Sequence, residues 1–319
     1  MKPENDLKCP VCKSANHVHF ISTNAMMHKP NNDRFDFNKC NGCKSIFLKN
    51  PVKEQRLEHF YTENYIPYRG SEAWGKFQSF VERNQNKRDK KRANFVSRLF
   101  KNKESIHILD VGCGNPSFLN AVQQKMNADC TGIDFSDEGW KNENYLLLDL
   151  IKISFEDFQP NQLYDVITLW HYLEHDYNIH LTAAKLYDSL KPGGKLIIEV
   201  PDYKSLTARK QQDFWQGWHS PRHLTLFSRK GFRTLFPKDK WKIRKHLRYG
   251  TLDAFTLWWL GKMERKQINW SKSMEKEFWP LVFLKVVSFP IFLFEKVFPM
   301  GIQLLVIEKK NSSSRSILK

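Results

Sequence analysis

The chain has 319 residues and a formal net charge of +17, from 51 basic and 34 acidic side chains. This length allows one full domain and an accessory module, and the basic excess indicates an anionic partner without choosing among nucleic acid, an acidic membrane surface and an acidic metabolite. The polar start MKPENDLKCP is not typical of a signal peptide, so we expect a cytoplasmic protein. Six cysteines, four of them in two CxxC pairs, argue against a disulfide framework and for a metal site in a reducing compartment.

Residues 1–50 contain the two cysteine pairs. Cys9 and Cys12 form one CxxC turn, and Cys40 and Cys43 form the second. Each turn presents two thiolates, and two such turns complete a tetrahedral S4 shell that suits zinc. Because the segment is short and polar, a metal would supply the free energy that folds it. We expect a zinc-binding ribbon with a structural zinc; unpaired reduced cysteines are the alternative.

Residues 51–105 are predicted to form a helical connector of one long helix or two. Apolar residues recur at helical spacing on both sides of the run RNQNKRDKKR at residues 83–92. A charged run of this kind is typical of a solvated helix face, and nucleic-acid contact is the alternative. The connector is expected to pack beside the main domain and to lead into its first strand.

Residues 106–119 read IHILDVGCGNPSFL, which predicts a strand, a tight glycine turn and the start of a helix. Gly112 and Gly114 would let backbone N–H groups approach a ligand closely, and the N-terminus of the following helix favours negative charge. A buried strand followed by an ordinary turn is the alternative interpretation of this stretch.

Strand and helix patterns alternate from here on, which predicts an α/β domain with a parallel sheet covered by helices on both faces. The strands are expected at residues 106–111, 130–133, 145–148, 164–170, 195–200, 241–249 and 301–308. Ligands of such sheets bind at the carboxyl ends of the strands. Four polar residues are expected at those ends: Asp110, Asp134, Asp149 and His171.

The residues around the turn distinguish between two adenosine cofactors. Asp134 follows Gly114 by twenty residues, and its carboxylate could accept hydrogen bonds from two ribose hydroxyls, as in nicotinamide or adenosyl cofactor sites. The turn GCGNP lacks the third glycine of a dinucleotide site. Asp110 would repel a pyrophosphate but not the cationic sulfonium and amino group of S-adenosylmethionine.

The segments ILDVGCG, GIDFS, YDVITLWHYLEH and LKPGGKLIIEVP, in this order, resemble the motifs of class I S-adenosylmethionine-dependent methyltransferases. WHYLEH and PRHL resemble a bacterial branch related to ubiquinone-type O-methyltransferases and to sugar methyltransferases with an N-terminal zinc knuckle. The resemblance implies a Rossmann-like, seven-stranded methyltransferase domain over residues 106–250 and 301–309. It also implies these cofactor contacts: Gly112 and Gly114 under the methionine part, Asp110 near its amino group, Asp134 at the ribose, Asp149 and Leu150 beside the adenine, and Trp170 with His171 bordering the methyl-transfer site.

Methyl transfer from this cofactor is an in-line displacement that needs positioning and, for some acceptors, removal of a proton. The candidate bases are His171, His175 and His223, since histidine serves as a base near neutral pH. The alternative is that WHYLEH only shapes the turn and packs the next helix. Arg222 could hold an acceptor carboxylate or phosphate, or it could anchor its own loop.

Residues 251–300 form an apolar helical insert before the last predicted strand. A single membrane span here would leave that strand on the wrong side of the membrane from its sheet. Two interpretations stay open: a helical lid or dimer contact, or a segment lying in the interface of an anionic membrane. In the second, five basic residues would face the headgroups: Lys262, Arg265, Lys266, Lys285 and Lys296. Residues 310–319 are expected to be a disordered tail.

The leading hypothesis is therefore a cytoplasmic methyltransferase that methylates an oxygen of a small-molecule, lipid or glycan acceptor and docks peripherally on the inner membrane face. A second hypothesis, from the zinc module and the charge, is an RNA or DNA methyltransferase. The fourth strand, however, ends in LWHY rather than in the Asn/Asp-Pro-Pro-aromatic sequence typical of enzymes that methylate base amines. A third is a non-catalytic fold of the same kind that binds nucleic acid or acts as a scaffold.

Overall fold

The structure is a computed structural model that describes residues 7–28, 33–61, 69–140 and 145–311. Its strands, in chain order, are β1 (His17–Asn24), β2 (Arg34–Cys40), β3 (Ile46–Leu48), β4 (Ile106–Val111), β5 (Ala128–Asp134), β6 (Asp149–Lys152), β7 (Tyr164–Trp170), β8 (Leu190–Pro201), β9 (Thr225–Leu226), β10 (Trp241–Leu247) and β11 (Ile302–Lys309).

The α-helices alternate with these strands in the main domain, as the sequence pattern predicts. They are α1 (Glu54–Leu57), α2 (Gln78–Leu99), α3 (Ser117–Gln123), α4 (Ile179–Ser189), α5 (Leu206–Gln211), α6 (Arg229–Leu235), α7 (Ala254–Arg265) and α8 (Phe278–Phe292). Short 3₁₀ turns at Glu275–Glu277 and Leu293–Lys296 extend α8 at its two ends.

Seven strands form one sheet in the order β10-β11-β8-β7-β4-β5-β6. β8, β7, β4, β5 and β6 are parallel, and β11 runs antiparallel to both of its neighbours. Every residue of β7, YDVITLW, is buried, because helices cover both faces of the central strands. This confirms the seven-stranded α/β fold and brings the carboxyl ends of β4, β5 and β7 to one edge.

One strand lies four residues beyond its predicted position. The apolar run at residues 145–148 was expected to be the third strand, but it forms a turn in which Leu148 N donates to Tyr145 O at 3.0 Å. Leu146 and Leu147 are 82% and 87% exposed, whereas Tyr145 and Leu148 at the two ends of the run are buried. Asp149 therefore begins β6 beside Thr131, and the placement of Asp149 at the carboxyl end of a strand is wrong.

The connector helix α2 buries two of the charged residues that were expected to face solvent. Most of its charged residues are exposed, as expected, but Asp89 and Arg92 are buried at 2% and 8% exposure. Ser117 Oγ, at the start of α3, donates to Asp89 Oδ2 at 2.6 Å. The prediction of a solvated face is therefore wrong at these two positions, because α2 packs on α3 and on a face of the sheet there.

The N-terminal module does not stand apart from the main domain. Its strands pair in the order β1-β2-β3-β9, so a strand of the main domain completes its sheet, with Phe47 beside Thr225. Ser228 Oγ, at the N-terminus of α6, donates to Cys43 O at 2.5 Å. The predicted boundary at residue 50 is thus not a structural boundary, because the N-terminal module and the main domain share a sheet.

The insert forms α7 and α8, which lie against the connector. Their shared core includes Trp259, Met263 and Phe278, packed on Trp74 and Met27. At the end of the chain, Lys310 N donates to Lys240 O at 2.9 Å, and the rest of the predicted tail, residues 312–319, lies outside the described residues.

Candidate active site

The glycine turn after β4 is closed on one side and open on the other. Gly112 and Gly114 adopt φ angles of 71° and 50°, which glycine tolerates best. A Cβ atom on Gly112 would lie 2.5 Å from Cδ2 of Tyr172, whereas nothing lies within 4 Å of the Cβ position of Gly114. The open side lets a ligand approach the backbone of Gly114.

Asp134 lies next to that open side, as predicted. Its carboxylate accepts hydrogen bonds from Gly114 N at 2.8 Å and from Ser136 N at 3.1 Å. Burial raises the pKa of Asp134, and these backbone hydrogen bonds oppose the rise. Two N–H groups thus fix the carboxylate while its remaining lone pairs are available to a diol.

Two aromatic residues that the sequence analysis missed enclose the same turn. Trp140 Nε1 donates to Gly114 O at 3.0 Å, and Tyr145 Oη donates to Asn115 Oδ1 at 2.7 Å. Trp140 precedes the run at residues 145–148 that the sequence predicts to be a strand, and Tyr145 begins that run. Their only sequence signal is that they are aromatic residues between β5 and β6.

Asp110 is the buried acid of the turn, at 3% exposure. Thr168 Oγ1 donates to its Oδ1 at 2.5 Å. Burial raises the pKa of Asp110 to about 7, although Thr168 and Arg92 act in the opposite direction. A cation beside this carboxyl would favour its ionised form, so the turn is chemically suited to a positively charged ligand.

Arg92 lies beneath the site, where the sequence analysis placed only a solvated face. Its guanidinium is 4.5 Å from the ring centroid of Trp170, and it donates to Glu199 Oε1 at 3.3 Å and to Thr251 Oγ1 at 2.9 Å. The signal that could have identified it is its i,i+3 spacing from Asp89, on the same side of the helix as Val96.

His171, the first candidate base, is held between two buried carboxylates. Its Nδ1 is 3.3 Å from Glu174 Oε1, and its Nε2 is 3.2 Å from Glu199 Oε1. Burial lowers the pKa of His171, but the two carboxylates raise it by more, to about 9. The ring is therefore an imidazolium at neutral pH, and an imidazolium has no lone pair with which to accept a proton.

His175 and His223, the other candidates, have the opposite character. His175 Nδ1 lies 3.1 Å from Arg222 O, and His223 Nδ1 lies 2.8 Å from Gly217 O. Because a carbonyl oxygen only accepts, each Nδ1 carries the proton and each Nε2 carries the lone pair. Burial lowers the pKa of both rings, so both are neutral near pH 7.

The two neutral rings lie close together, with centroids 4.6 Å apart. Glu174 is next to them, and its Oε2 is buried without a hydrogen-bond partner among the described residues. Ligand-type atoms of Glu174, His175 and His223 all lie within 4.8 Å of one another, so these three residues could hold a cation or share a proton.

Arg222 was predicted either to hold the acceptor or to anchor its loop. Its Nη1 and Nη2 both donate to Met26 O at 3.0 Å, and its guanidinium lies 5.5 Å from the Tyr61 ring centroid. The side chain is fully buried. In this structure Arg222 anchors the loop of His219 and His223 to the N-terminal module.

The four cysteines of the N-terminal module converge as predicted. Cys9 Sγ is 3.6 Å from Cys43 Sγ, Cys12 Sγ is 3.4 Å from Cys40 Sγ, and all four sulfur atoms lie within 4.8 Å of one another. In a tetrahedral site with Zn–S bonds of 2.3 Å the sulfur atoms are about 3.8 Å apart. The cluster could therefore hold one zinc ion.

Of the remaining predicted cofactor residues, Trp170 lies at the same edge of the sheet as the glycine turn, whereas Asp149 and Leu150 lie at the start of a strand. Trp170 ends β7 at the same edge as the turn, and Arg92 packs on its ring. Asp149 and Leu150 begin β6, and Lys152 rather than Asp149 is the residue beside Asp134. The adenine contacts of Asp149 and Leu150 stay a prediction.

The sequence is similar to that of known proteins over the part that forms this site. The family described as "Methyltransferase domain" matches residues 84–245, which is just over half of the chain. The chain belongs to this family, within the class I S-adenosylmethionine-dependent methyltransferases. The match begins inside α2 and ends in β10, so it spans the glycine turn, Asp134 and the three candidate histidines.

Among curated proteins, the chain is similar to a ubiquinone biosynthesis O-methyltransferase of Saccharophagus degradans. The two are 34% identical over 117 residues, which cover 34% of this chain and 49% of that protein. The chain thus spans about half the length of the curated relative that it matches.

Solved structures with a similar fold include the plantazolicin methyltransferase BpumL, at 16% identity and a TM-score of 0.48, with 81% of this chain and 94% of that chain covered. Coclaurine N-methyltransferase has 16% identity and a TM-score of 0.44, with 68% and 71% covered. The N-methyltransferase NodS of Bradyrhizobium japonicum has 11% identity and a TM-score of 0.40, with 69% and 87% covered.

Proposed function

We propose that this protein transfers the methyl group of S-adenosylmethionine to a hydroxyl oxygen of a small-molecule, lipid or glycan acceptor. One observation carries the proposal: an acidic glycine turn suited to a cation shares its edge of the sheet with two neutral histidines. The O-methyltransferase named among the relatives supports the choice of oxygen.

Four residues would hold the cofactor. Asp134 would accept hydrogen bonds from its ribose hydroxyls and Asp110 would face its cationic end. Gly114 would leave room for it beside the backbone, and Gly112 would form the turn on the side that Tyr172 closes. When bound, S-adenosylmethionine supplies a methyl group that is electrophilic because it is attached to a sulfonium. The buried acids around the turn would retain a cation where a pyrophosphate would be repelled.

The chain's own contribution to transfer is positioning and proton removal. We place the base at His175, because its Nδ1–H is committed to a carbonyl and its Nε2 carries a lone pair. His175 Nε2 would accept the hydroxyl proton of the acceptor. His223 is the neighbouring neutral ring, and His171 would act as a fixed cation that orients Glu174.

We also propose that Cys9, Cys12, Cys40 and Cys43 bind one structural zinc ion. Four thiolates leave no open coordination position, so this zinc would not take part in chemistry. Its effect would be on folding, since it would fix the turn between β2 and β3 to the turn that precedes β1.

The experiment that tests the proposal measures S-adenosylmethionine binding by calorimetry, then transfer of its labelled methyl group to a panel of phenols, sugars and amines. We expect binding and labelling of hydroxyl compounds, and a rate loss of about 100-fold or more in His175→Ala with unchanged cofactor affinity. Absence of cofactor binding would refute the proposal. Labelling of amines alone would refute O-methylation.

A further inference from the structure

A long apolar surface is exposed on the insert. Large side chains at helical spacing along α8 and the turn after it face outward, each at least 51% exposed: Trp279, Phe283, Val286, Val287, Ile291, Phe294, Val297 and Phe298. We call these eight residues the outer face. Single exposed apolar residues are ordinary, but a continuous row of this size marks an interaction site.

The opposite side of the same helix is apolar as well. The Phe278 ring stacks on Phe77 with centroids 3.7 Å apart, and Phe292 packs against Phe255 at 5.6 Å. The most apolar 18 residues within Glu275–Lys296 have a mean hydropathy of 1.7, and only 11% of them are buried. A solvent-facing helix normally has a polar outer side, so the outer face is adapted to a surface other than water.

By length and composition, Glu275–Lys296 could cross a membrane. Its two ends, however, are attached to the same body. Met274 N donates to Ala73 O at 2.8 Å, and Pro299 O accepts from Leu206 N at 2.8 Å before the chain re-enters the sheet as β11. A helix fixed at both ends along one side of a domain can lie on a bilayer but cannot pass through it while these contacts persist.

The basic residues of the insert are not arranged as the sequence analysis expected. Lys285 Nζ donates to Asp253 Oδ2 at 2.6 Å, Lys266 lies 4.0 Å from Glu277, and Lys262 lies over the Trp258 ring at 4.4 Å. The Arg265 guanidinium also lies over the Phe214 ring, 5.9 Å from its centroid. Four of the five predicted headgroup contacts are therefore engaged within the protein. On a membrane, the apolar outer face would supply the short-range attraction to the lipid. The net positive charge of the chain would attract it to anionic headgroups over a longer range.

We propose that the outer face docks in the interfacial layer of an anionic lipid bilayer. The chain has a formal net charge of +17, which attracts it to anionic headgroups and makes two copies repel each other. Charge complementarity therefore favours lipid over a second copy, and the inference does not depend on the proposed methyl transfer.

The test is flotation of the full chain with vesicles of phosphatidylcholine alone or mixed with phosphatidylglycerol. We expect binding that increases with phosphatidylglycerol. The double variant Phe283→Ser/Val287→Ser should bind about tenfold more weakly or worse, because two large apolar side chains leave the interface. The matched control, Leu163→Ser/Leu181→Ser, changes two exposed leucines outside the insert and should bind as the native chain does.

A second measurement does not depend on the folding of the double variant. Spin-labelled lipids should quench the tryptophan fluorescence of the native chain more than that of Trp279→Phe. Equal quenching, or vesicle binding by Phe283→Ser/Val287→Ser at the native level, would overturn the proposal. It would also be overturned by a native dimer that ignores vesicles and that this double variant dissociates in sedimentation experiments.

Discussion

The two halves of the candidate active site are built in different ways. The cofactor half, residues 110–134, consists of one glycine turn and two carboxylates, Asp110 and Asp134, on adjacent parallel strands. A hydrogen bond from Gly114 N to Asp134 joins the turn to the second strand. The acceptor half takes residues 171–175 and 219–223 from two distant segments, and Met26 of the N-terminal module holds the second of them. The first half is local in sequence and the second is not.

This difference has a physical consequence. Strand register and backbone hydrogen bonds fix the cofactor half, and these depend on short-range sequence patterns. The acceptor half depends on buried side-chain charges and on a loop anchored by Arg222. We therefore expect most substitutions to affect one half and not the other. Substitution of Glu199 is the exception, because this residue lies between the two halves.

Removal of the proposed zinc should have the largest effect and should fall on the acceptor half. Structural zinc sites have apparent binding free energies of about 10–16 kcal/mol, so Cys40→Ser should release the metal and loosen β9 with the loop before it. Hydrogen exchange should increase in residues 33–48 and 219–226, and cofactor affinity should not change. Metal analysis should find one zinc in the native chain and in Cys130→Ser, whose thiol is outside the cluster. Equal loss of exchange protection in residues 110–134 would contradict the separation of the two halves.

Removal of the carboxylate between the halves should destabilise the whole domain. Glu199 is fully buried and contacts Arg92, His171 and Thr251. Glu199→Ala would remove the carboxylate that two buried cations share and leave Arg92 with Asp89 and His171 with Glu174 only. We therefore expect a loss at the lower end of about 3–5 kcal/mol in the free energy of unfolding, measured with urea.

The matched control for Glu199 is Glu308→Ala on the neighbouring strand β11. Glu308 pairs with Arg244 at 2.6 Å near the surface, where such pairs contribute about 1 kcal/mol or less. If both variants were destabilised equally, burial of the Glu199 network would not be the cause.

Asp134→Ala should affect the cofactor half alone. Loss of hydrogen bonds to a charged group corresponds to about 2–3 kcal/mol, or roughly 30- to 150-fold in affinity for S-adenosylmethionine by calorimetry. The control is Asp129→Ala on the same strand, whose side chain is 68% exposed. Unchanged affinity in Asp134→Ala would place the ribose elsewhere.

The smallest expected effect is a pH dependence of cofactor binding through Asp110. Its pKa of about 7 in the free protein means that this carboxyl is protonated at lower pH and must ionise to face a cation. Affinity for S-adenosylmethionine should therefore fall by about tenfold from pH 8 to pH 6, with proton release on binding. Asp110→Asn should bind more weakly and lose this dependence. A slope that survives in Asp110→Asn would assign the proton to another group.

Much of the cofactor half follows from local patterns in the chain. The glycine turn, Asp134, β7 and the alternation of strands and helices were predictable because strand periodicity and turn chemistry are short-range. The two CxxC pairs likewise predict their own convergence. The third strand was misplaced because the apolar run at residues 145–148 forms a turn in which Leu146 and Leu147 are exposed.

The side-chain orientations and protonation states in the site depend on tertiary packing. The sequence does not state that Arg92 turns inward beneath Trp170, that His171 is charged while His175 is neutral, or that Arg222 is an anchor rather than a binding residue. Burial and charge pairing join residues far apart in the chain, so protonation states and partners exist only once the fold has brought those residues together. The same holds for α8, whose apolar sequence alone could not show which side remains exposed.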